Sequence, residues 1–251
     1  VTASSAMQPG GDWLFDLGNS RLKFASLAPD GQVGAVEART HDAGDWCAGL
    51  PSGGTAWVCA VASPVLSLEL LQALARRFRR VSIARTGASF AGVRVAYAQP
   101  GRLGVDRFLA MLGARAIGPG PWLLVGVGTA LTLDLLAADG AHAGGRIAPS
   151  PAVMRAALHA RASHLPAEGG RYVEFAADTQ DALASGCEGA ALGLVERSLA
   201  QARDLFGGDA TPLLHGGGAA ALASHLPGVR VESALVLHGL ARWAGAGRAA
   251  R

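Results

Sequence analysis

The sequence predicts an α/β protein of two duplicated lobes, on three observations. A segment near the start, WLFDLGNSRLKFASLAPDG (13–31), is echoed by WLLVGVGTALTLDLLAADG (122–140). Strand-length apolar runs alternate with helix-length amphipathic ones through the rest of the chain. The chain has 251 residues, 50% of them hydrophobic, which is ample for a core in each of two modest lobes. The expected division is an N-terminal lobe over 12–118 and a C-terminal lobe over 119–248, with IGPGPW (117–122) as the boundary loop.

Each copy reads as an apolar strand, a tight turn at glycine, a second alternating strand, and an Asp-Gly turn at Asp30-Gly31 or Asp139-Gly140. TAWVCAVA (55–62) is a buried-strand candidate. Ser63-Pro64 then supplies an N-cap and a first-turn proline for a helix with Leu71, Leu74 and Phe78 on one face. VSIAR reads as a strand. VRVAYA (93–98) precedes a Pro-Gly break, after which Val105, Phe108, Leu109 and Leu112 follow the inward face of a helix. In the second half Ser150-Pro151 starts a helix. Asp178 or Thr179 caps a long one through Phe206, whose Gly186, Gly189 and Gly193 suggest close backbone packing. TPLLHGGGAAALASHL is strand, glycine turn and helix.

The duplicated turns carry the first chemical signal. Asp16, Gly18 and Asn19 correspond to Gly126, Gly128 and Thr129. A glycine turn between strands can aim N–H groups at an anion, although either turn alone reads sooner as a plain hairpin. Two matched turns, followed by Asn19 and Ser20 in one copy and by Thr129 and Thr132 in the other, favour a phosphate chain held by both. Lys23 is the only lysine among 22 basic residues. An ammonium there can meet phosphate as a point charge, and the Asp16 carboxylate can hold magnesium through water.

GRLGVDR (101–107) is the second focus. Asp106 and Arg107 fall in the first turn of a helix, where the macrodipole and the guanidinium keep a carboxylate ionised. Such a group can orient a substrate hydroxyl and accept its proton, or can simply complement the helix end. The run Gly216 to Gly218 admits a base or ribose against bare backbone, or is a permissive turn.

Composition excludes several classes. The net charge of +3 comes from scattered arginines. The dense run Arg76, Arg77, Arg79 and Arg80 reads as the solvated end of a helix, so no nucleic-acid partner is expected. Cys47, Cys59 and Cys187 lack metal spacing and cannot all pair, and the histidines show no paired metal spacing either. No segment has the length of a membrane span, and VTASSAMQPGG lacks a charged n-region and an apolar h-region. A cytoplasmic protein with no membrane partner is expected. GxxxxGK[ST], GxGxxG after a strand, the kinase HRD and DFG pair, GxSxG and HExxH are all absent.

Two lobes opening on matching phosphate hairpins resemble the acetate and sugar kinase, Hsp70 and actin superfamily. That resemblance implies an actin-like, ribonuclease H-like ATPase fold with mixed central sheets and an ATP cleft between the lobes. Within it the whole chain resembles the type III pantothenate kinases. DLGNSRLK, from Asp16 and Leu17 through Gly18, Asn19, Ser20, Arg21 and Leu22 to Lys23, resembles the first phosphate motif. GRLGVDR, with Gly104, Val105, Asp106 and Arg107, resembles the pantothenate motif, and GVGTALTLD, with Gly128 and Thr129, the second phosphate motif.

The resemblance implies that Tyr97 lines the pantothenate pocket and that Thr179 closes it from the other lobe. It further implies ATP-dependent phosphorylation of pantothenate, the first step towards coenzyme A, by a homodimer. Asp106 would be the catalytic base, with magnesium accompanying ATP. One departure concerns the monovalent cation, potassium or ammonium, which the family's second motif holds through an aspartate. This chain has Gly126 there, and the loss of a hard anionic ligand puts that site in question. A kinase of another small alcohol and a non-catalytic nucleotide-binding regulator are the alternatives.

Overall fold

The computed structural model describes residues 10–41 and 44–249, with only the backbone for the last two. The part of VTASSAMQPGG before residue 10 lies outside the described residues. In chain order the elements are β1 (Asp12–Leu17), β2 (Arg21–Leu27), β3 (Glu37–Thr40), β4 (Gly53–Ala60), α1 (Pro64–Ala75), β5 (Phe78–Ile83), β6 (Ser89–Phe90), β7 (Val93–Arg94) and α2 (Val105–Ile117). There follow β8 (Trp122–Val127), β9 (Ala130–Leu136), β10 (His142–Pro149), α3 (Pro151–Arg161), α4 (Thr179–Phe206), β11 (Thr211–His215), α5 (Ala219–Ala223), β12 (Arg230–Val231) and α6 (Leu235–Ala249).

Two compact units result. The first comprises residues up to 91, 97–116 and 235 onwards; the second comprises 92–96 and 117–234. Their sheets have the same topology, β3-β2-β1-β4-β5 in one and β10-β9-β8-β11-β12 in the other. Both are mixed: the opening hairpin is antiparallel, and the next two pairings are parallel.

In the first unit, alternation along β1 sends Phe15 and Leu17 into a core shared with Leu22, Phe24, Val58, Leu70, Leu74 and Phe78. Ser63 caps α1 as expected, accepting from Leu66 N. The helix ends at Ala75, however, and Phe78 opens β5 instead of closing the helix face. Its ring meets Phe15 edge-on at 5.6 Å, a contact that outweighs helical spacing. The arginine run accordingly straddles two elements: Arg76 caps the helix, while Arg79 and Arg80 lie exposed on β5.

The second unit packs Leu123, Val125, Val127, Leu131, Leu133 and Leu214 against Ala191, Leu192 and Val195 of α4 and Leu222 of α5. Ser150 caps α3, and Asp178 caps α4 through bonds from Gln180 N and Asp181 N, so Thr179 is the first helical residue. The expected close packing at Gly186, Gly189 and Gly193 is absent. A Cβ at Gly186 or Gly193 would meet nothing within 4 Å, and at Gly189 only Tyr172 at 3.8 Å.

The C-terminal helix also departs from expectation. Residues 235–248 belong to the first unit, where α6 packs on β1, β2 and β4. Trp243 meets Trp57 edge-on at 5.8 Å. Two glycines explain the attachment. A side chain at Gly239 would overlap the Leu109 carbonyl, and one at Gly113 would overlap the Leu235 carbonyl, so α2 and α6 cross with backbones nearly touching. With α6 in place, α2 is buried on every side from Arg107 to Ala114, more than its one-face pattern suggests. Gly239→Ala should therefore destabilise the protein by about 1–3 kcal/mol, the scale of an overpacked core. A urea midpoint equal to that of the parent protein would contradict this packing.

Candidate functional site

Strand register assembles the first cluster. Asp16 of β1 lies opposite Lys23 of β2 and Cys59 of β4, so the three form one row across the sheet. They occupy the face opposite Phe15 and Leu17, at the end of β1 where the chain turns at Gly18. Asp16 is half-buried with its carboxyl enclosed by protein. Desolvation first, and then the nearby Asp106 carboxylate, raise its pKa to about 6, opposed by Lys23 and by a hydrogen bond with Cys59. Burial lowers the Lys23 pKa in turn, against the pull of Asp16. Cys59, fully buried with Asp16 and Asp106 nearby, has its thiol pushed well up and stays protonated.

Asp106 sits in the first turn of α2, where Gly104 makes room for it. A Cβ at Gly104 would lie 2.6 Å from Asp106 Oδ1, so the carboxylate folds back over bare backbone. Arg107 is buried and donates from Nη1 to the Tyr97 hydroxyl at 3.3 Å. Tyr97 in turn lines a recess of about 340 Å³ with Ala98, Gln99 and Arg102. Asp16, Lys23, Tyr97, Gly104, Asp106 and Arg107 thus fall in one unit; register joins Asp16 to Lys23, charge repulsion couples Asp16 to Asp106, Gly104 makes room for Asp106, and a hydrogen bond joins Arg107 to Tyr97.

The second cluster mirrors the first. Gly126 of β8 lies opposite Thr132 of β9 and His215 of β11. Its turn is tighter: Gly18 N donates to Arg21 O at 3.1 Å, whereas Gly128 N donates to Ala130 O at 3.0 Å. One residue fewer makes Thr132 the positional counterpart of Lys23. Both turn glycines use their own N–H to close the hairpin, so those two groups are not the ones turned to an anion. Thr129 is exposed at the turn, and Thr179 is exposed at the start of α4. The loop after β11 is stitched to β8, with Gly218 N donating to Val127 O at 3.0 Å.

Comparison with known proteins decides the family. The family model described as type III pantothenate kinase matches residues 13–201. A type III pantothenate kinase of Stenotrophomonas maltophilia strain K279a is 59% identical over 238 residues, covering 93% of this chain and 97% of the relative. This chain belongs to the type III pantothenate kinase family. A relative of the same description from Xanthomonas oryzae pv. oryzae strain PXO99A is 55% identical over 237 residues, with coverage of 93% and 97%.

Among solved structures, a protein assigned to the Baf family of transcriptional activators from Campylobacter jejuni superposes with a TM-score of 0.66 at 18% identity. The match covers 94% of this chain and 99% of that one. A protein assigned as a 2-dehydro-3-deoxygalactonokinase from Sinorhizobium meliloti gives 0.57 at 18% identity, covering 95% and 98%. These two likenesses agree with a two-lobed α/β fold of sugar-kinase type.

The type III pantothenate kinase family implies two ions, and the residues here suit only one. Asp16 and Asp106 are close enough to raise the pKa of Asp16, a charge excess that a hydrated magnesium ion beside phosphates relieves. At Gly126 the fit fails. A Cβ there would lie 2.5 Å from Thr132 Oγ1 and 3.1 Å from the His215 ring, and no group of three or more His, Cys, Asp or Glu suited to a metal occurs among the described residues. Two participants escaped the sequence reading. Cys59 and His215 belong to the cysteines and histidines without metal spacing, and only strand register places each beside a motif residue.

The raised pKa of Asp16 implies a stability penalty that is small near pH 4, grows as pH rises and is nearly complete above pH 6, because folding then holds a desolvated anion. Asp16→Asn removes it. The variant should be more stable than the parent by about 2–3 kcal/mol at pH 8, the worth of a shift of this size, with the gain shrinking by more than half towards pH 4.5. Urea titrations at both pH values measure this, and a variant less stable than the parent at pH 8 would contradict the desolvation account.

Proposed function

We propose that this chain transfers the γ-phosphoryl group of ATP to the primary hydroxyl of pantothenate, giving 4′-phosphopantothenate. Family membership over nearly the whole length supports this, and the placement of Asp106 carries it. The carboxylate stands at a helix N-terminus over Gly104, in the same unit as the Arg107–Tyr97 pair suited to a small polar acid.

In this reading the first turn, Leu17 to Lys23, receives the phosphates, with Lys23 offsetting their charge. Asp16 would hold magnesium through water, and the ion would supply charge neutralisation of the phosphate oxygens. Gly128 and Thr129 contribute further phosphate contacts. Asp106 orients the pantothenate hydroxyl and accepts its proton, Gly104 and Val105 present backbone, and Tyr97, Arg107 and Thr179 hold the polar ends of the acid. Catalysis is then positioning plus electrostatic stabilisation.

A homodimer is part of the proposal. Helix α3 has no buried residue, Leu158 is 44% exposed, and an apolar groove of about 590 Å³ runs between α3 and α4 along Met154, Leu158, Leu183 and Gly186. A second copy would cover it. A cytoplasmic setting is proposed on the three cysteines, all free and buried.

Steady-state assays with pantothenate against sugars and glycerol test the substrate, and preference for another alcohol would overturn it. Asp106→Asn should keep the fold and MgATP binding while lowering kcat by roughly 10²-fold or more, the scale of a positioned base. Near-parental turnover would remove Asp106 from the mechanism.

A further inference from the structure

We propose that His215 takes the place of the monovalent cation: its ring fills the niche beside Gly126 and binds a nucleotide phosphate oxygen, so the enzyme works without potassium or ammonium. The inference rests on the ATP-dependent kinase reading above.

Register supplies the first argument. Thr132, Gly126 and His215 sit on three adjacent strands, on the face opposite Val125, Val127, Leu131 and Leu214. Gly126 lies two residues before Gly128, and His215 immediately precedes Gly216. The row therefore ends both strands where their glycine loops begin, at the C-terminal edge of parallel strands where α/β sheets take ligands.

Space supplies the second. The Cε1 and Nε2 edge of the His215 ring lies 3.1 Å from where a Gly126 Cβ would be, and Thr132 Oγ1 lies 2.5 Å from it. A side chain at 126 would overlap the Thr132 hydroxyl and crowd the His215 ring, so the row as it stands is built around a glycine. The backbone after His215 is pinned to β8: a side chain at Gly216 would overlap the Val127 carbonyl, and Gly218 N is bonded to that carbonyl. Gly126 is buried, whereas Thr132 and His215 are half-exposed, leaving an imidazole and a hydroxyl over a glycine floor.

Chemistry supplies the third. Potassium and ammonium sites are built from oxygens, preferably anionic. The nearest acid on this face is Asp134, one row further from the turn and opposite Leu124. Asp134 is buried and bonded to His142 Nε2 at 2.9 Å, and His142 Nδ1 accepts from Ala96 N at 3.4 Å, so that carboxylate is committed to the fold. The row itself holds a hydroxyl and an imidazole and no carboxylate, and each of the two can donate to an oxyanion.

Three measurements test the proposal. Parental rates in choline, potassium and ammonium chloride should agree within about twofold; a strict requirement for either ion overturns it. His215→Ala and the shape-conserving His215→Gln should each raise the KM for ATP about tenfold, as loss of a charge-assisted contact does, while the KM for pantothenate stays within twofold. An unchanged ATP KM, or parallel loss in both constants, overturns it. The double variant Gly126→Asp/His215→Ala reopens the niche and should gain activation by potassium. Calorimetric MgATP binding without pantothenate separates the two levels of the argument. Weakened binding in His215→Gln supports the phosphate role even if pantothenate proves to be the wrong acceptor, and unchanged binding contradicts it.

Discussion

Asp16 keeps its carboxyl away from bulk water, beside Asp106 and in one row with Lys23 and Cys59, and much of the first unit serves to hold it there. Alternation along β1 sends Phe15 and Leu17 to one core and leaves Asp16 on the opposite face. Helix α6 packs on that sheet and presses backbone to backbone on α2, and α2 carries Asp106. An anion so placed costs the free protein stability. In the proposed reading a bound cation offsets that cost.

The second unit repeats the architecture with different chemistry. Equal strand orders and glycine turns at the same point of the topology show the duplication in three dimensions. Where the first row reads Lys23, Asp16, Cys59, the second reads Thr132, Gly126, His215. The acid has gone from the middle strand, and the basic group has moved from the hairpin partner to the parallel neighbour. Each row keeps one nitrogen donor near its turn, but only the first keeps an anion to balance it. In the proposed reading the two turns are therefore unequal phosphate sites, the first organised around a carboxylate and the second around an imidazole beside glycine.

Much of this was legible in the chain itself. The repeat, the Ser63 and Ser150 caps, the helix beginning near Asp178 and the cluster around Asp106 are local patterns, and the structure contains them. The misreadings concern partners distant in sequence. Phe78 has helical spacing from Leu74 but is captured by Phe15, and residues 235–248 follow the second lobe in sequence yet pack on the first. Gly186 and Gly193 promised close contacts that no described residue of this chain makes. Cys59 and His215 gain meaning only from parallel pairing, which joins residues 43 and 89 positions apart and leaves no periodic trace.

The central claim, that the Asp16 row receives the nucleotide's phosphates, is most directly tested at Lys23. It is the only lysine in the chain, and burial lowers its pKa, so an amine-acylating reagent followed by peptide mapping reports on this position. MgATP should slow modification of Lys23 by roughly tenfold or more, consistent with a charge-assisted contact, and pantothenate alone should slow it far less. Equal labelling rates with and without MgATP, together with full turnover by the modified protein, would contradict the account.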